Sequence, residues 1–274
     1  MVLQLEPVSA AILAVGAVVA VAFCWYGLGE LRLANRILRS QPDSVLDTTD
    51  GGRVELRGTA RPVDDGRLCR APLSDAPCLA YEYEIEQYSS SKNGSNWSTI
   101  DADDGYVPFR LEDDSGNVLI EPPGADLRLE TDNRVTVDAG TEPPSTIAHF
   151  IDETEAVDAQ ATGSNRGILD RLTGSDRRFT ERLLVPDEEV HVLGTARYDT
   201  AVSSAPGQVN AAVGVDEAAY ADSRWLRLRH ALFGDPFIIS DSTERRLGLR
   251  AATQGLLTVG IGTLAAVIAV LWAI

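Results

Sequence analysis

Two apolar runs in this chain are long enough to cross a lipid bilayer. Residues 8–28 and residues 251–274 contain no charged side chain. A bilayer core of about 30 Å requires roughly 20 apolar residues in helical form. The pattern therefore predicts a transmembrane helix over each run, with a lipid bilayer as the partner of both.

The alternative for the first run is a cleaved signal peptide. Such a peptide carries a basic segment before a short apolar core. The seven residues before Val8 include no Lys or Arg, and the apolar run is too long for a signal peptide. Trp25, Tyr26 and Trp272 also fall where interfacial aromatic belts are expected. We therefore favour two retained spans.

Basic residues lie on one side only of each apolar run. They are Arg32, Arg36 and Arg39 after the first run, and Arg245, Arg246 and Arg250 around the start of the second. Arg and Lys near a span favour its cytoplasmic end. The pattern predicts a multi-pass protein of the cell membrane with a cytoplasmic central domain and both termini outside. Glycosylation sequons begin at Asn93 and Asn96, and they would be used only if the domain were external.

Small residues recur at four-residue spacing within both apolar runs. These residues are Gly16, Ala20 and Cys24 in the first run and Thr258, Gly262 and Ala266 in the second. Small residues at this spacing let transmembrane backbones approach closely. We expect a helix pair, either within one chain or between two copies in a homo-oligomer.

The pattern changes between the two apolar runs. Residues 29–44 continue as a helix and linker, and residues 45–245 show alternating and β-branched segments separated by turn residues. The predicted strands are Arg53–Arg61, Leu79–Tyr88, Tyr106–Glu112, Asn117–Glu121, Arg134–Asp138, Phe179–Val185, Glu189–Tyr198 and Phe237–Ile239. Helices are expected over Ser145–Thr154 with Ser145 as its cap, in part of Glu217–Phe233 and over Asp241–Arg250, and a flexible loop over Ala201–Asn210. The predicted fold class is α+β, a β-rich domain flanked by two transmembrane helices.

Charge excludes one class of partner. The net charge is −17, with 41 acidic against 24 basic residues, and Lys92 is the only lysine. A surface rich in carboxylates and poor in lysine stays hydrated in high salt, so we interpret it as a halophilic, haloarchaeal signature. Nucleic acid requires a basic patch, so we expect no nucleic-acid partner.

Cysteine and histidine form no recognisable reactive group in the sequence. Cys24 lies in the first span, while Cys69 and Cys78 flank a turn, where cytoplasmic conditions favour plain burial over a disulfide. The histidines His149, His191 and His230 are scattered, and we expect surface positions rather than metal ligands. No nucleophile elbow or phosphate-binding glycine loop occurs.

Two carboxylate clusters are expected to be solvated loop charge. They comprise Asp101, Asp103 and Asp104, and Glu112, Asp113 and Asp114. Neither has the regular spacing of a calcium loop. The sequence thus assigns no catalytic residue, no cofactor and no metal.

Several segments in order resemble a known membrane-associated domain. Residues 107–125, VPFRLEDDSGNVLIEPPGA, resemble the core of the GIDE ("beside a membrane") domain of MULAN-type mitochondrial and chloroplast RING E3 ubiquitin ligases. Further similar segments are Pro72–Leu73, Cys78–Tyr83, Glu181–Pro186, Val190–Ala196 and Asp235–Asp241. The resemblance covers about residues 54–245 and implies a domain held between two spans.

The ligase activity of that family is not implied by the matching residues. In the family, a RING after the second span recruits the ubiquitin-conjugating enzyme, and a RING requires eight Cys or His ligands. This chain has three Cys and three His and ends at Ile274. We therefore expect a GIDE-type protein without the RING.

Three functions remain in competition. The first is a non-catalytic binding or scaffold module at the membrane surface, with an unknown protein partner. The second is an E3 ubiquitin ligase-related component that acts with a separate RING partner. The third is an unrecognised enzyme such as a hydrolase, which would need one of the histidines beside Ser, Cys or Asp in a cleft.

Overall fold

The computed structural model describes residues 7–37, 42–63, 66–91, 94–152, 175–203, 205–216, 234–242 and 244–273. The fold class is confirmed as α+β, with an apolar helix at each terminus and a β-rich central domain. Two compact units result. One comprises Met1–Gln41 together with Ser242–Ile274, and the other is Pro42–Asp241.

The first unit consists of two long helices, α1 (Pro7–Ile37) and α3 (Glu244–Ala273). Within them, Leu13–Asn35 and Arg246–Trp272 are long and apolar enough to cross a membrane. Large apolar side chains point outward along both helices, and Leu257 is 69% exposed. Such a surface is rare on soluble proteins and matches a lipid environment. The helices therefore indicate a membrane protein.

Glycines set the distance between α1 and α3, which run antiparallel. A Cβ at Gly27 would lie 2.8 Å from the Gly255 carbonyl oxygen, and a Cβ at Gly255 would lie 2.8 Å from that of Gly27. Gly262 packs on Ala20 and Cys24. The predicted small-residue faces thus meet within one chain, as close packing of transmembrane helices requires. The Gly27–Gly255 contact was not predicted.

The second unit contains a barrel, a separate sheet and a small hairpin. The barrel strands are β1 (Gly52–Pro62), β6 (Phe109–Asp113), β7 (Gly116–Ile120), β11 (Glu189–Tyr198) and β12 (Gln208–Gly214), extended by β13 (Ile238–Ser240) and β8 (Asp126–Leu127). The separate sheet has the order β5 (Gly94–Tyr106), β4 (Ala80–Ser91), β10 (Arg177–Leu184) and β9 (Asn133–Val137). The hairpin pairs β2 (Cys69–Arg70) with β3 (Pro77–Cys78). Short 3-10 helices span Val45–Asp50 and Thr200–Val202.

The barrel closes because β1 pairs with two neighbours. Its first part lies antiparallel to β11, and its last four residues lie antiparallel to β6. The circuit β1-β6-β7-β12-β11 then returns to β1, with β7 and β12 parallel. This order and these directions are those of a five-stranded Greek-key barrel of the OB type.

Alternate residues of the barrel strands form the main core. Leu56, Phe109, Ile120, Val192 and Val213 all point inward and are fully buried. Alternation is expected because successive side chains of a strand point to opposite faces.

Two glycines occur where the barrel interior is crowded. A Cβ at Gly194 would lie 2.9 Å from both Phe237 and Val213, and a Cβ at Gly58 would collide with the Glu112 carbonyl. Because neighbouring atoms approach this closely, both positions require glycine. Each glycine is the first residue of a Gly-Thr-Ala-Arg segment.

The four-stranded sheet packs one face on a helix, α2, which the structure describes over residues 145–152. Ile147 and Ile151 of α2 are buried against Tyr83, Ile85 and Phe179. This second core stabilises the sheet independently of the barrel interior, and it fixes which face of α2 remains exposed.

Most of the predicted strands occur in the structure, but several predicted bounds and helix assignments differ from it. The strand over Glu189–Tyr198 is confirmed with its bounds. The predicted loop over Ala201–Asn210 is too long, because Thr200–Val202 forms a 3-10 helix and Gln208–Asn210 belongs to β12. The first helical bond of α2 runs from Ala148 N–H to the Pro144 carbonyl, so Ser145 lies inside the helix rather than at its cap. The helix expected within residues 217–233 lies outside the described residues.

Candidate functional site

An open pocket lies between the β2–β3 hairpin and α2. Its volume is about 630 Å³. The lining combines charged, hydroxyl and apolar side chains: Arg70, Ala71, Pro72, Asp75, Tyr81, Ser145, Thr146, His149 and Phe150. A mixed lining of this kind offers both apolar contact and directional hydrogen bonds to a ligand.

The first wall is the hairpin, which a buried carboxylate holds in place. Glu181 of β10 is fully buried, and its Oε1 accepts a hydrogen bond from Leu73 N–H at 2.8 Å. At the exposed turn, Asp75 adopts a left-handed φ of 57°. Arg70 donates to the Asp75 carbonyl oxygen at 2.8 Å and lies 3.3 Å from its carboxylate. Both contacts hold the turn that joins β2 to β3, so this wall is fixed.

The second wall is the exposed side of α2. Because Ile147 and Ile151 face the core, Thr146 and His149 are left exposed beside the pocket. Phe150 packs edge-on against Tyr83 with ring centroids 5.2 Å apart, which locks the helix on the sheet.

Tyr81 completes the pocket between the two walls. Burial, together with the charges of Asp103, Cys69, Cys78 and Asp104, raises its pKa. The phenol therefore stays protonated at neutral pH, so it can donate a hydrogen bond to an acceptor on a ligand.

Cys69 and Cys78 are direct cross-strand partners behind the pocket, and both are free thiols. Burial, reinforced by Cys69 and Glu181, raises the pKa of the Cys78 thiol to about 12. Burial also raises the pKa of Cys69. Since the thiolate is the reactive form, neither position is activated as a nucleophile.

The histidines occupy three unlike environments. His149 lies exposed at the pocket, as predicted. The expectation of a surface position is wrong for His191, which is 3% exposed with Nε2 3.2 Å from the carboxylate of buried Glu55. It lies on the outer face of the barrel, because neighbouring Val192 points into the core. His230 lies outside the described residues.

The pocket brings together His149, Ser145 and Asp75, which are residue types that a hydrolase would use. The Asp75 carboxylate is already engaged by Arg70. A hydrolase needs its acid to orient the histidine, so this arrangement does not favour hydrolysis.

The acidic clusters are not simply solvated loop charge. Asp101, Asp103 and Asp104 lie in strand β5 rather than in a loop. Asp113 organises the β6–β7 turn, since its carboxylate accepts hydrogen bonds from Ser115, Gly116 and Val45. Over the described parts of the chain, no group of three or more His, Cys, Asp or Glu residues is arranged to hold a metal ion.

The carboxylate of Glu82 was missed by the sequence reasoning. It lies on the face of the four-stranded sheet away from α2, opposite Asp104 and Arg182. Burial, opposed by Arg182 and reinforced by Asp126, raises its pKa to about 7. The only signal in the sequence was an alternating strand, which predicts a solvated residue there.

Comparison with known proteins supports the resemblance to a GIDE domain. The sequence model of the GIDE family, described as E3 Ubiquitin ligase, matches residues 80–205. No curated protein matches the chain. No solved structure matches it either. The matched segment begins at the first residue of β4 and contains all four strands of the separate sheet together with α2. Residues 80–205 are therefore similar to the GIDE domain of the E3 ubiquitin ligase family.

Proposed function

We propose that this protein is a membrane-anchored binding module whose GIDE-like domain holds a partner protein at the membrane surface. The open pocket carries the proposal. Its two walls are fixed before any ligand arrives, one by the buried Glu181–Leu73 hydrogen bond and the other by the docking of Ile147. A preformed site loses little conformational entropy on binding, which favours recognition.

The reactive side chains support binding rather than catalysis. The Cys78 thiol, with a pKa of about 12, is a poor nucleophile at neutral pH. His191 is buried beside Glu55, where a substrate would not reach it.

The second candidate is an E3 ubiquitin ligase-related component, which the GIDE match favours. In that case the bound partner would carry the RING and would transfer a ubiquitin-like protein. The two candidates share the docking step and differ only in what the partner does afterwards.

Site-specific photo-cross-linking of the full-length protein in its native membranes tests the docking step. A benzophenone amino acid replaces Thr146 at the pocket, and a matched variant carries it at Tyr198, which is 65% exposed in β11. We expect a discrete adduct from position 146 alone. Equal adducts from both positions, or none from 146, would contradict a pocket-mediated partner.

The identity of the adduct separates the candidates. A cross-linked protein with RING-type zinc ligands, and loss of ubiquitin-like conjugates when the present protein is removed, would favour the ligase-related component. A partner without such activity would favour the scaffold.

We also propose that the domain is cytoplasmic, because Arg32, Arg246 and Arg250 lie at the domain side of the two helices. A tag at Ile274 should then be cleaved by a protease added outside intact cells. Protection of the tag in intact cells, with cleavage after lysis, would overturn the orientation.

A further inference from the structure

We propose that strand β5 is a docking edge at which an extended, basic peptide segment of a partner protein adds to the four-stranded sheet. This deepens the proposed function, on which it rests, by naming a surface and the chemistry of the partner. The barrel strands pair in a closed circuit, and closure leaves that sheet, within the described residues, only the two-residue strand β8 as an edge. The separate sheet is open, and β5 is its longer edge strand.

The register identifies which backbone groups of β5 point away from the sheet. Tyr88 N–H donates to the Asp176 carbonyl, so even-numbered residues of β4 direct their backbone groups toward β10. Odd-numbered residues of β4 therefore bond to β5, because the direction alternates along an antiparallel strand. The register then leaves the backbone groups of Trp97, Thr99 and Ala102 directed outward.

This edge is accessible along most of its length. Ser95, Thr99 and Ala102 are exposed, and Trp97 is partly exposed. A stretch from Ser95 to Asp104 spans about 30 Å at 3.3 Å per residue. An extended peptide can pair with such an edge through its main chain, as in β-strand addition.

Residues 101–106 of β5, the guarded half, carry features that oppose strand pairing, whereas residues 95–99, the bare half, carry none. A bulge at Ile100 separates the two halves. Beyond it, the outward N–H of Asp104 is already taken by the Asp103 carboxylate at 3.0 Å. Bulges and charges are the devices that block unwanted pairing at edges. Residues 95–99 carry neither device, and beyond the bulge the first outward N–H that a carboxylate occupies is that of Asp104. Main-chain pairing is therefore expected over residues 95–99 and, beyond the bulge, at Ala102.

The guarded half specifies the charge of the partner. Asp101 and Asp103 lie on the α2 face of the sheet and Asp104 lies on the opposite face, and none of the three makes an ion pair within the described chain. Asp103 and Asp104 are exposed, while Asp101 is half-buried and accepts a hydrogen bond from the Tyr83 hydroxyl. A basic side chain beside these carboxylates gains attraction, and an acidic one is repelled. A second copy of this chain, with a net charge of −17, is therefore the less favoured occupant.

Beside the bare half, an aromatic platform provides a rigid anchor. Arg178 lies 4.0 Å above the Trp97 ring, and Tyr88 packs against Trp97 at 5.2 Å. Trp, Tyr and Arg are the residues most often dominant at protein interfaces. The platform is held by an ion pair between Arg178 and Glu86 at 3.0 Å.

The test measures peptide binding to the full-length protein in detergent micelles. The probes are nine-residue peptides with five alternating Val and Thr residues joined to four Arg, with the Arg block at either end to allow both strand directions. A matched probe carries N-methyl groups on every residue, and another replaces Arg by Glu. We expect binding of an unmodified Arg probe and at least a tenfold weaker affinity for both altered probes.

Variants locate the binding on β5. Ala102→Pro removes an outward N–H without breaking a bond to β4, and Ala102→Val retains that N–H. We expect about tenfold loss of affinity for the Pro variant alone. Asp101→Asn/Asp103→Asn/Asp104→Asn should weaken binding at least tenfold and abolish its salt dependence. The control with the same charge change uses three exposed acids elsewhere: Asp50→Asn, Asp114→Asn and Glu142→Gln.

Hydrogen exchange gives a readout that electrostatic attraction alone would not change. Peptide binding should slow exchange at Thr99 and Ala102 and leave Asp101 and Asp103, whose amides face β4, unchanged.

Equal binding of the N-methylated probe, or equal loss in both charge variants, would overturn the edge proposal. Growth in particle size without added peptide would show that a second copy occupies the edge instead, which also overturns it. Partner capture at Thr146 that persists in Ala102→Pro would refute the edge while leaving the proposed function intact.

Discussion

Replacing Glu82 by Gln should make the domain more stable at alkaline pH and leave it unchanged in acid. Glu82 of β4 has Asp104 on one side and Arg182 on the other, with Asp126 of β8 nearby. Burial is the largest cause that raises its pKa. Arg182 lowers the pKa, and the neighbouring carboxylates Asp126, Asp104 and Glu84 offset part of that lowering. The folded protein therefore holds a proton that the unfolded chain would release.

The magnitude follows from the difference between the two states. The pKa rises from 4.5 to about 7 on folding. At 1.36 kcal/mol per pH unit this corresponds to about 3 kcal/mol, and we reduce it to about 1–2 kcal/mol because solvent reaches the partly exposed carboxylate. Since the folded pKa is the higher one, this stability is fully present below pH 4.5 and is lost as the pH rises through about 7.

Urea unfolding of the full-length protein in micelles measures the effect. Loss of the β-sheet circular dichroism reports on the domain while the apolar helices persist in detergent. We expect Glu82→Gln and the wild type to be equally stable near pH 4, and the variant to be more stable by about 1–2 kcal/mol near pH 8. Glu142→Gln, at an exposed position before α2, gives the effect of removing one charge alone.

A difference in stability between Glu82→Gln and the wild type that is the same at both pH values would refute a raised pKa of Glu82 in the folded protein. A second arm tests the assigned cause. Arg182→Gln removes the group that opposes the shift, so the loss of stability with rising pH should become larger in that variant. If Arg182→Gln flattens the pH dependence, the balance of charges described here is wrong.

Three further predictions follow from the packing. Gly262→Cys should form a disulfide with native Cys24 on mild oxidation, because a Cβ at Gly262 lies 3.1 Å from the Cys24 sulfur. Gly260→Cys should form none, because a Cβ at that position meets nothing within 4 Å. Electrophoresis without reductant distinguishes the two variants. With Cys24 and Cys69 replaced by Ser, Cys78 should still react with a thiol reagent at least tenfold more slowly than an ordinary exposed thiol, because burial, the largest cause of its raised pKa, is unchanged; urea should abolish the difference. Glu181→Leu should lower the free energy of unfolding by about 1–3 kcal/mol because Leu73 N–H loses its acceptor, while Glu181→Gln, which keeps an acceptor oxygen, should cost less; equal losses in the two variants would argue against the hydrogen bond as the cause.

The spans and most strands could be predicted because each depends on a local pattern. The strand Glu189–Tyr198 alternates apolar and polar residues, and a turn with Asp187 at a positive φ precedes it. Strand β5 was missed because its segment is rich in Ser, Asn, Asp and Gly, which are depleted in strands. It forms because β4 offers a pairing partner along its whole length. Tertiary pairing, rather than propensity, decides this strand.

The pocket could not be predicted because its parts are far apart in the sequence. Residues 70–81 supply one wall and residues 145–150 the other, and Glu181 supports the first wall from 108 positions away. Nothing in a local pattern distinguishes Glu181 from the other charged residues of its strand. The same applies to Glu82, whose pKa is raised in part by the charge of Asp126 in β8, a strand of the other sheet.

The topology separates the part that folds the domain from the part that can bind. The segment between consecutive barrel strands β1 and β6 contains β2 to β5, and the segment between β7 and β11 contains β9, α2 and β10. The pocket and the β5 edge therefore lie on insertions whose own core is formed by Phe179, Ile85 and Ile147. A substitution at the exposed edge removes no contact from the barrel core, so its effect on binding should appear without an equal effect on stability. This is the behaviour that a scaffold needs, because the surface can change its partner while the closed barrel keeps the fold.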